Sequence, residues 1–233
     1  MFEAPTPAEW TAVLLSLRVA LVATLGALPF GLLAAWALAR WNFPGKSLLS
    51  ALITLPLVVP PVVVGYGLLL LFGRSGPFGE ALAAIGVRLP FTWGGAALAA
   101  AIMGFPLMVR AMRLSLEAIS PEFEQAAASL GASPLRRLWT IILPLAAPGI
   151  ITGALLGFAR ALGEFGATIA FAGNIPGQTQ TVPIAIYALL QTPGGEVAVA
   201  RLAVLSVIVA LAALLLSEWL ARRLAPRRLE PAA

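Results

Sequence analysis

The sequence predicts an all-α integral membrane protein of about five transmembrane helices, with the N-terminus outside and the C-terminus cytoplasmic. Three observations lead there. First, 60% of the 233 residues are hydrophobic and 11% are charged, at a mean hydropathy of +0.96, which leaves too little polar surface to cover a water-exposed globule of this size. Second, the apolar residues fall in runs that reach the roughly 20 helical residues needed to cross a bilayer. Third, Lys and Arg collect on alternate connections between those runs, as topology signals do.

Five stretches qualify as spans: 12–39, 48–72, 92–116, 140–162 and 198–221, within one membrane domain covering 1–233. Before the first, MFEAPTPAEW carries Glu3 and Glu9 where a secretory leader would be basic, so this first run reads as a retained span. The run is long for one crossing, and its Arg18 lies near the outer end, where the side chain can snorkel to the interface. Pro56, Pro60 and Pro61 in the second span, and Pro144 and Pro148 in the fourth, remove backbone donors inside apolar helices and predict kinks around a pathway. LPLVVPPVVVG (55–65) and LPLAAPGIITG (143–153) share the pattern L-P-L-x-x-P-x-x-x-x-G. Either a duplicated element or recurrent helix-entry chemistry accounts for the echo.

Orientation follows from the charges. Arg40 and Lys46 flank one connection, Arg110, Arg113, Arg136 and Arg137 a second, and Arg222, Arg223, Arg227 and Arg228 the tail, against Arg74, Arg88 and Arg201 on the other side. The loop 117–139 and the tail are therefore expected in the cytoplasm. The net charge of +5 is dispersed between apolar runs, which argues against nucleic acid as a partner. Cys, His and Asp are absent, so neither a metal centre nor His-based acid–base catalysis is expected, and the chain reads as a non-enzyme without a cofactor. GKS at 45–47 imitates the end of a phosphate-binding loop, but the required upstream Gly falls on Arg40.

The polar interruption SPEFEQAAASLGASPLRRLWTIILP (120–144) has a definite local logic. Ser120 is an N-cap, Pro121 suits the first helical position, and Glu122 and Glu124 favour the positive end of the dipole. Gly131 stops that helix, and Ser133 with Pro134 starts another that continues into the fourth span. Ala126, Ala127 and Ala128 leave a surface on which another protein can pack closely. From the residues alone, an amphipathic connector lying on the membrane is an equal alternative to a docking knob.

The string Glu124, Ala126, Ala127, Gly131, Ile141, Leu143, Pro144 resembles the cytoplasmic "EAA" loop of ABC-importer permeases, with one departure: Gln125 separates Glu124 from the alanine pair. Further stretches, LPLVVPPVVVGYGLLLLFGRSGPFG (55–79), GFPLMVRAMRLSLE (104–117), GFARALGEFGATIAFAGNIPGQTQTVPIAIYALLQTPGGE (157–196) and LLLSEWLARR (214–223), resemble the permease subunit of molybdate importers. Sulfate and tungstate relatives share ALGEFG and GNIPG, while QTPGGE and PLMVRA tilt the resemblance to molybdate.

The resemblance implies a type I ABC-importer permease fold and a multi-pass place in a bacterial or archaeal cytoplasmic (inner) membrane. It implies a homodimer in the lipid bilayer, a cytoplasmic ATP-binding cassette subunit that hydrolyses ATP, and an extracytoplasmic molybdate-binding protein. Glu124, Ala126, Ala127, Gly131 and Ala132 would form the coupling segment, and loops 73–91 and 173–197 would face the binding protein. Arg160 and Glu164, at i and i+4, are either a mutually neutralising pair that fixes helix orientation or part of a gate or pathway. A secondary transporter driven by an ion gradient is the distant alternative; it is disfavoured because intramembrane acids other than Glu164 are scarce.

Overall fold

The computed structural model describes residues 4–224, with side chains described through Leu216. Glu3 and the tail residues Arg227 and Arg228 lie outside the described residues, and Arg222 and Arg223 outside the described side chains. Among the described residues all regular structure is helical: α1 (Pro7–Arg40), α2 (Lys46–Val58), α3 (Pro61–Phe72), α4 (Gly79–Ala84), α5 (Trp93–Glu117), α6 (Pro121–Ser129), α7 (Pro134–Arg137), a π-helical turn (Leu138–Ile142), α8 (Leu143–Leu162), α9 (Gly166–Ala172), α10 (Val182–Leu190) and α11 (Glu196–Leu224). Among the described residues four stretches are long and apolar enough to cross a membrane (α1, α5, Pro134–Leu162 and Glu196–Leu216 of α11), and the bent pair α2–α3 makes up to five.

α5 is the centre, packed against both α1 and α8, which also touch each other. Small residues let these helices approach. A Cβ on Gly104 would lie 2.9 Å from the Gly157 carbonyl oxygen, and one on Gly157 2.7 Å from Met108 Cε. Met108 also fills the space beside Gly31, where a Cβ would be 3.0 Å from its Sδ. Without a hydrophobic driving force between helices in lipid, such close van der Waals packing is what holds them together.

Two ends can be told apart by their polar contacts. At one, Thr6 and Glu9 cap α1 reciprocally, and Arg201 near the start of α11 donates to Glu9 Oε1 at 3.0 and 3.2 Å. The Arg18 guanidinium lies 3.8 Å from the centroid of Trp93, the first residue of α5, so its charge rests on an aromatic face. At the other end, Arg40 closes α1 and meets Glu124 of α6.

The stretch 48–72, expected as one span, is two helices bent by 115° at Val59–Pro60. Both Val59 (ψ 137°) and Pro60 (ψ 133°) are extended, because each precedes a proline ring that disfavours the helical conformation. Leu49 and Ile53 pack with the cluster containing Leu116 and Ile119 at the Arg40 end. Phe72 lies 6.4 Å from Phe171, whose carbonyl accepts from Phe91 N–H two residues before α5. The pair thus leads from one end of α5 to the other as a broken crossing. Two loops also contain helices: α4 lies within 73–91, and α10 within 173–197, where Val182 and Ala185 are buried against Ala12, Val13 and Leu202.

Candidate functional site

The segment between α5 and α8 is built by its caps. Ser120 is extended and its Oγ accepts from Glu122 N–H at 3.3 Å; Ser133 repeats this with Arg136 N–H at 3.3 Å. α6 ends in a Schellman motif: Ala132 N–H donates to Ala127 O at 3.0 Å and Gly131 N–H to Ala128 O at 2.9 Å. Gly131 sits at φ 79°, and a Cβ there would meet nothing within 4 Å, so the demand for Gly is one of backbone conformation and not of space. The chain then enters α8 through the π-helical turn, where Leu143 N–H donates to Leu138 O. That widened turn precedes Pro144, whose ring could not supply a helical donor.

The elbow has two faces. Inward, Glu124 Oε1 is 3.0 Å from Arg40 Nη1, and Arg137 Nη1 reaches the Glu124 carbonyl at 3.5 Å. Outward, Ala126 is exposed and Ala127 and Ala132 are half-buried. Around them stand Phe123 (57% exposed), Leu135, Trp139 and, at the tip, Leu130 (88% exposed). Sequence reasoning missed these large apolar side chains. The available signal was their position: Leu130 directly precedes the helix-stopping Gly131, and Phe123 interrupts a charged turn.

Arg160 and Glu164 do come together, with Arg160 Nη1 2.5 Å from Glu164 Oε2, but not on one helix face. α8 stops at Leu162, and Glu164 lies in the break before α9, where its Oε1 accepts from Ala167 N–H at 2.8 Å. The carboxylate is enclosed (side chain 1% exposed) whereas Arg160 is 27% exposed. Glu164 is thus both counter-ion and cap. Beyond α9, the loop after Gly173 winds around buried Thr179, whose Oγ1 accepts from Ile175 N–H at 3.0 Å and donates to Gly173 O at 3.3 Å.

A family model described as binding-protein-dependent transport system inner membrane component matches residues 27–229. The chain belongs to this family. The matched region includes the whole elbow and the Arg160–Glu164 break. Among relatives of the family, the molybdenum transport system permease protein ModB of Escherichia coli (strain K12) is 58% identical over 218 residues, 93% of this chain and 95% of that one. ModB of Haemophilus influenzae is 54% identical over 93% and 95%. The sulfate transport system permease protein CysT of Salmonella typhimurium is 42% identical over 76% and 64%. The fold is shared with solved ABC importers. A bacterial ABC transporter involved in the import of the acidic polysaccharide alginate superposes with a TM-score of 0.75 at 19% identity, covering 95% of this chain and 81% of that one. The MetNI methionine ABC transporter in an inward-facing conformation gives 0.68 at 16% identity over 94% and 95%.

Proposed function

We propose that this chain is the transmembrane permease subunit of an ATP-driven importer that moves molybdate across the bacterial inner membrane by alternating access. The observation that carries the reading is the 58% identity to a molybdenum permease over nearly the full length of both chains. Sulfate is the weaker alternative, because the sulfate permease match is lower in identity and in coverage. Tungstate, a dianion of the same shape, stays an alternative too.

In this reading two copies enclose the pathway, the Arg40 end faces the cytoplasm, and the N-terminus lies outside. ATP is bound and hydrolysed by a separate cytoplasmic subunit that receives the loop 117–139. Ala126, Ala127, Gly131 and Ala132 form the docking turn, with Glu124 at its base. Their support is the capped helix ending in a glycine turn, with apolar side chains standing out around it. Movement of that turn is passed into α8 through the π-helical turn, and the last turn of α8 carries Arg160, paired with Glu164 in the break just beyond. The pair is proposed to shape the outer gate, with the half-exposed Arg160 on the side open to a passing dianion. An extracytoplasmic binding protein captures the ion and delivers it at loops 73–91 and 173–197. The permease itself should hold the ion weakly, since a tightly bound ion leaves slowly.

The test is reconstitution with the ATPase subunit and the binding protein, measuring ATP-dependent molybdate uptake with sulfate and tungstate as competitors. Effective competition by sulfate at equal concentration would move the assignment to sulfate. Gly131→Val, which forces a branched side chain into the left-handed region, is expected to lower coupled uptake more than membrane abundance. Retained ATP-driven uptake in that variant would count against the docking role.

A further inference from the structure

We infer that Glu124 works inside this chain, as the tie that makes α6 move with α1 through Arg40, and is not itself a contact to the ATPase subunit. The inference rests on the reading of 117–139 as the coupling loop. Three elements converge on one guanidinium. Arg40, in the last turn of α1, places Nη1 3.0 Å from Glu124 Oε1 and Nη2 3.5 Å from the carbonyl of Ile119, two residues beyond the end of α5. Arg137 approaches the same helix from α7, with Nη1 3.5 Å from the Glu124 carbonyl.

Neither side chain of the pair is free in water: 18% of the Arg40 side chain and 25% of the Glu124 side chain are exposed. Arg40 Nε and Arg137 Nε are buried without a hydrogen bond, and the Glu124 Oε1 contact is ionic, without the alignment of a hydrogen bond. Arg40 is therefore held to Glu124 by charge in an enclosed corner, where screening is weaker than at an open surface, and Arg137 adds a hydrogen bond to the Glu124 carbonyl. Helix dipoles reinforce the pair, since a cation suits the C-terminal end of α1 and an anion the opening turns of α6. A contrast lies next to it. Arg113 and Glu117 form an i, i+4 pair within α5, more exposed on both sides, and such a pair joins no two elements.

The mechanical consequence is specific. α6 is joined to α5 by only three residues and to α8 through α7 and the π-helical turn, so without the tie its position relative to α1 rests on its flanking turns. With the tie, a displacement of the docking turn is carried into the 34-residue α1 as well as into α8. The placement of neighbouring residues fits this assignment: Glu124 faces Arg40 while Ala126, two residues on, stays exposed.

The test uses the full complex in proteoliposomes with Arg40→Glu, Glu124→Arg and the exchanged pair. Each single variant should lower ATP-driven molybdate uptake per assembled complex by about fivefold or more, and the exchange should recover most of it, as a coupled pair requires. Co-purification of the ATPase subunit should be unchanged in all three. Full uptake in Arg40→Glu, an exchange no better than the singles, or loss of the ATPase subunit in Glu124→Arg alone would overturn the inference.

A second measurement uses the absence of cysteine in this chain. Arg40→Cys with Glu124→Cys, joined by a bifunctional thiol-alkylating reagent, should regain uptake that the unlinked form lacks. It should also cross-link equally with and without ATP, even if variants accumulate poorly. A cross-link that blocks uptake, or a yield that falls on adding ATP, would overturn the tie. Failure of the unmodified chain to assemble with any ATPase subunit would sink the coupling-loop reading, while the cross-link yield in the permease alone still judges the contact.

Discussion

The segments 55–65 and 143–153 share the pattern L-P-L-x-x-P-x-x-x-x-G and fold differently. In the first, the chain breaks at Val59–Pro60 and turns by 115°; in the second, α8 runs unbroken through Pro148 to Leu162. The pattern's prolines do not decide the outcome, because Pro56 and Pro148 are both accommodated inside helices. What differs is the residue that follows the second proline: Pro61 in one, Gly149 in the other. Two adjacent prolines remove two donors and force two successive residues out of the helical region, which a single proline does not. The second segment also has relief upstream, in the π-helical turn that precedes Pro144. The terminal glycines, by contrast, act alike. A Cβ on Gly65 would lie 2.5 Å from Ala167 O, and one on Gly153 2.8 Å from Met108 O, so each marks a close helix crossing.

The largest effect is expected at Gly65. Its neighbours are backbone atoms of α9 and Ala170 Cβ, none of which can rotate away, so Gly65→Val is expected to cost about 3 kcal/mol and to lower the thermal midpoint of the detergent-solubilised protein sharply. Pro61→Ala comes next. It restores a donor and frees Pro60 to become helical, and is expected to reduce uptake several-fold at normal membrane abundance by straightening the crossing. Gly153→Ala should cost less than Gly65→Ala, about 1–2 kcal/mol, because the Met112 side chain at 3.0 Å can shift even though Met108 O cannot. Pro148→Ala should be smallest, leaving uptake within about twofold of the unmodified chain, since α8 already runs through this position. Equal effects of Pro61→Ala and Pro148→Ala would refute the tandem-proline explanation.

Much of this was legible locally. The elbow's caps, its glycine stop and the proline starts of α6 and α7 are written within a few residues of each other, and the side chains of Ser120 and Ser133 do what their positions imply. The angle of a break is a different matter: prolines announce that donors are missing, whereas the direction of the turn depends on what α3 packs against, which is α9, a hundred residues away. For the same reason Arg160 and Glu164 read as one helical face. Their pairing survives, but Gly163 ends α8 between them and gives Glu164 a second role on Ala167 N–H. Arg40 and Arg201, counted from the sequence as topology signals, each hold a distant carboxylate, Glu124 and Glu9. No local pattern encodes such pairs, because they arise from how helices are brought end to end.

In the proposed function, the chain takes its work from a separate ATPase subunit through the elbow at 120–133. The most direct measurement of this is the initial rate of molybdate accumulation in proteoliposomes holding this chain, the ATPase subunit and the binding protein, with and without ATP on the elbow side. Accumulation that requires both ATP and the ATPase subunit is the predicted result. Accumulation at the same rate without either, driven by an ion gradient, would contradict it.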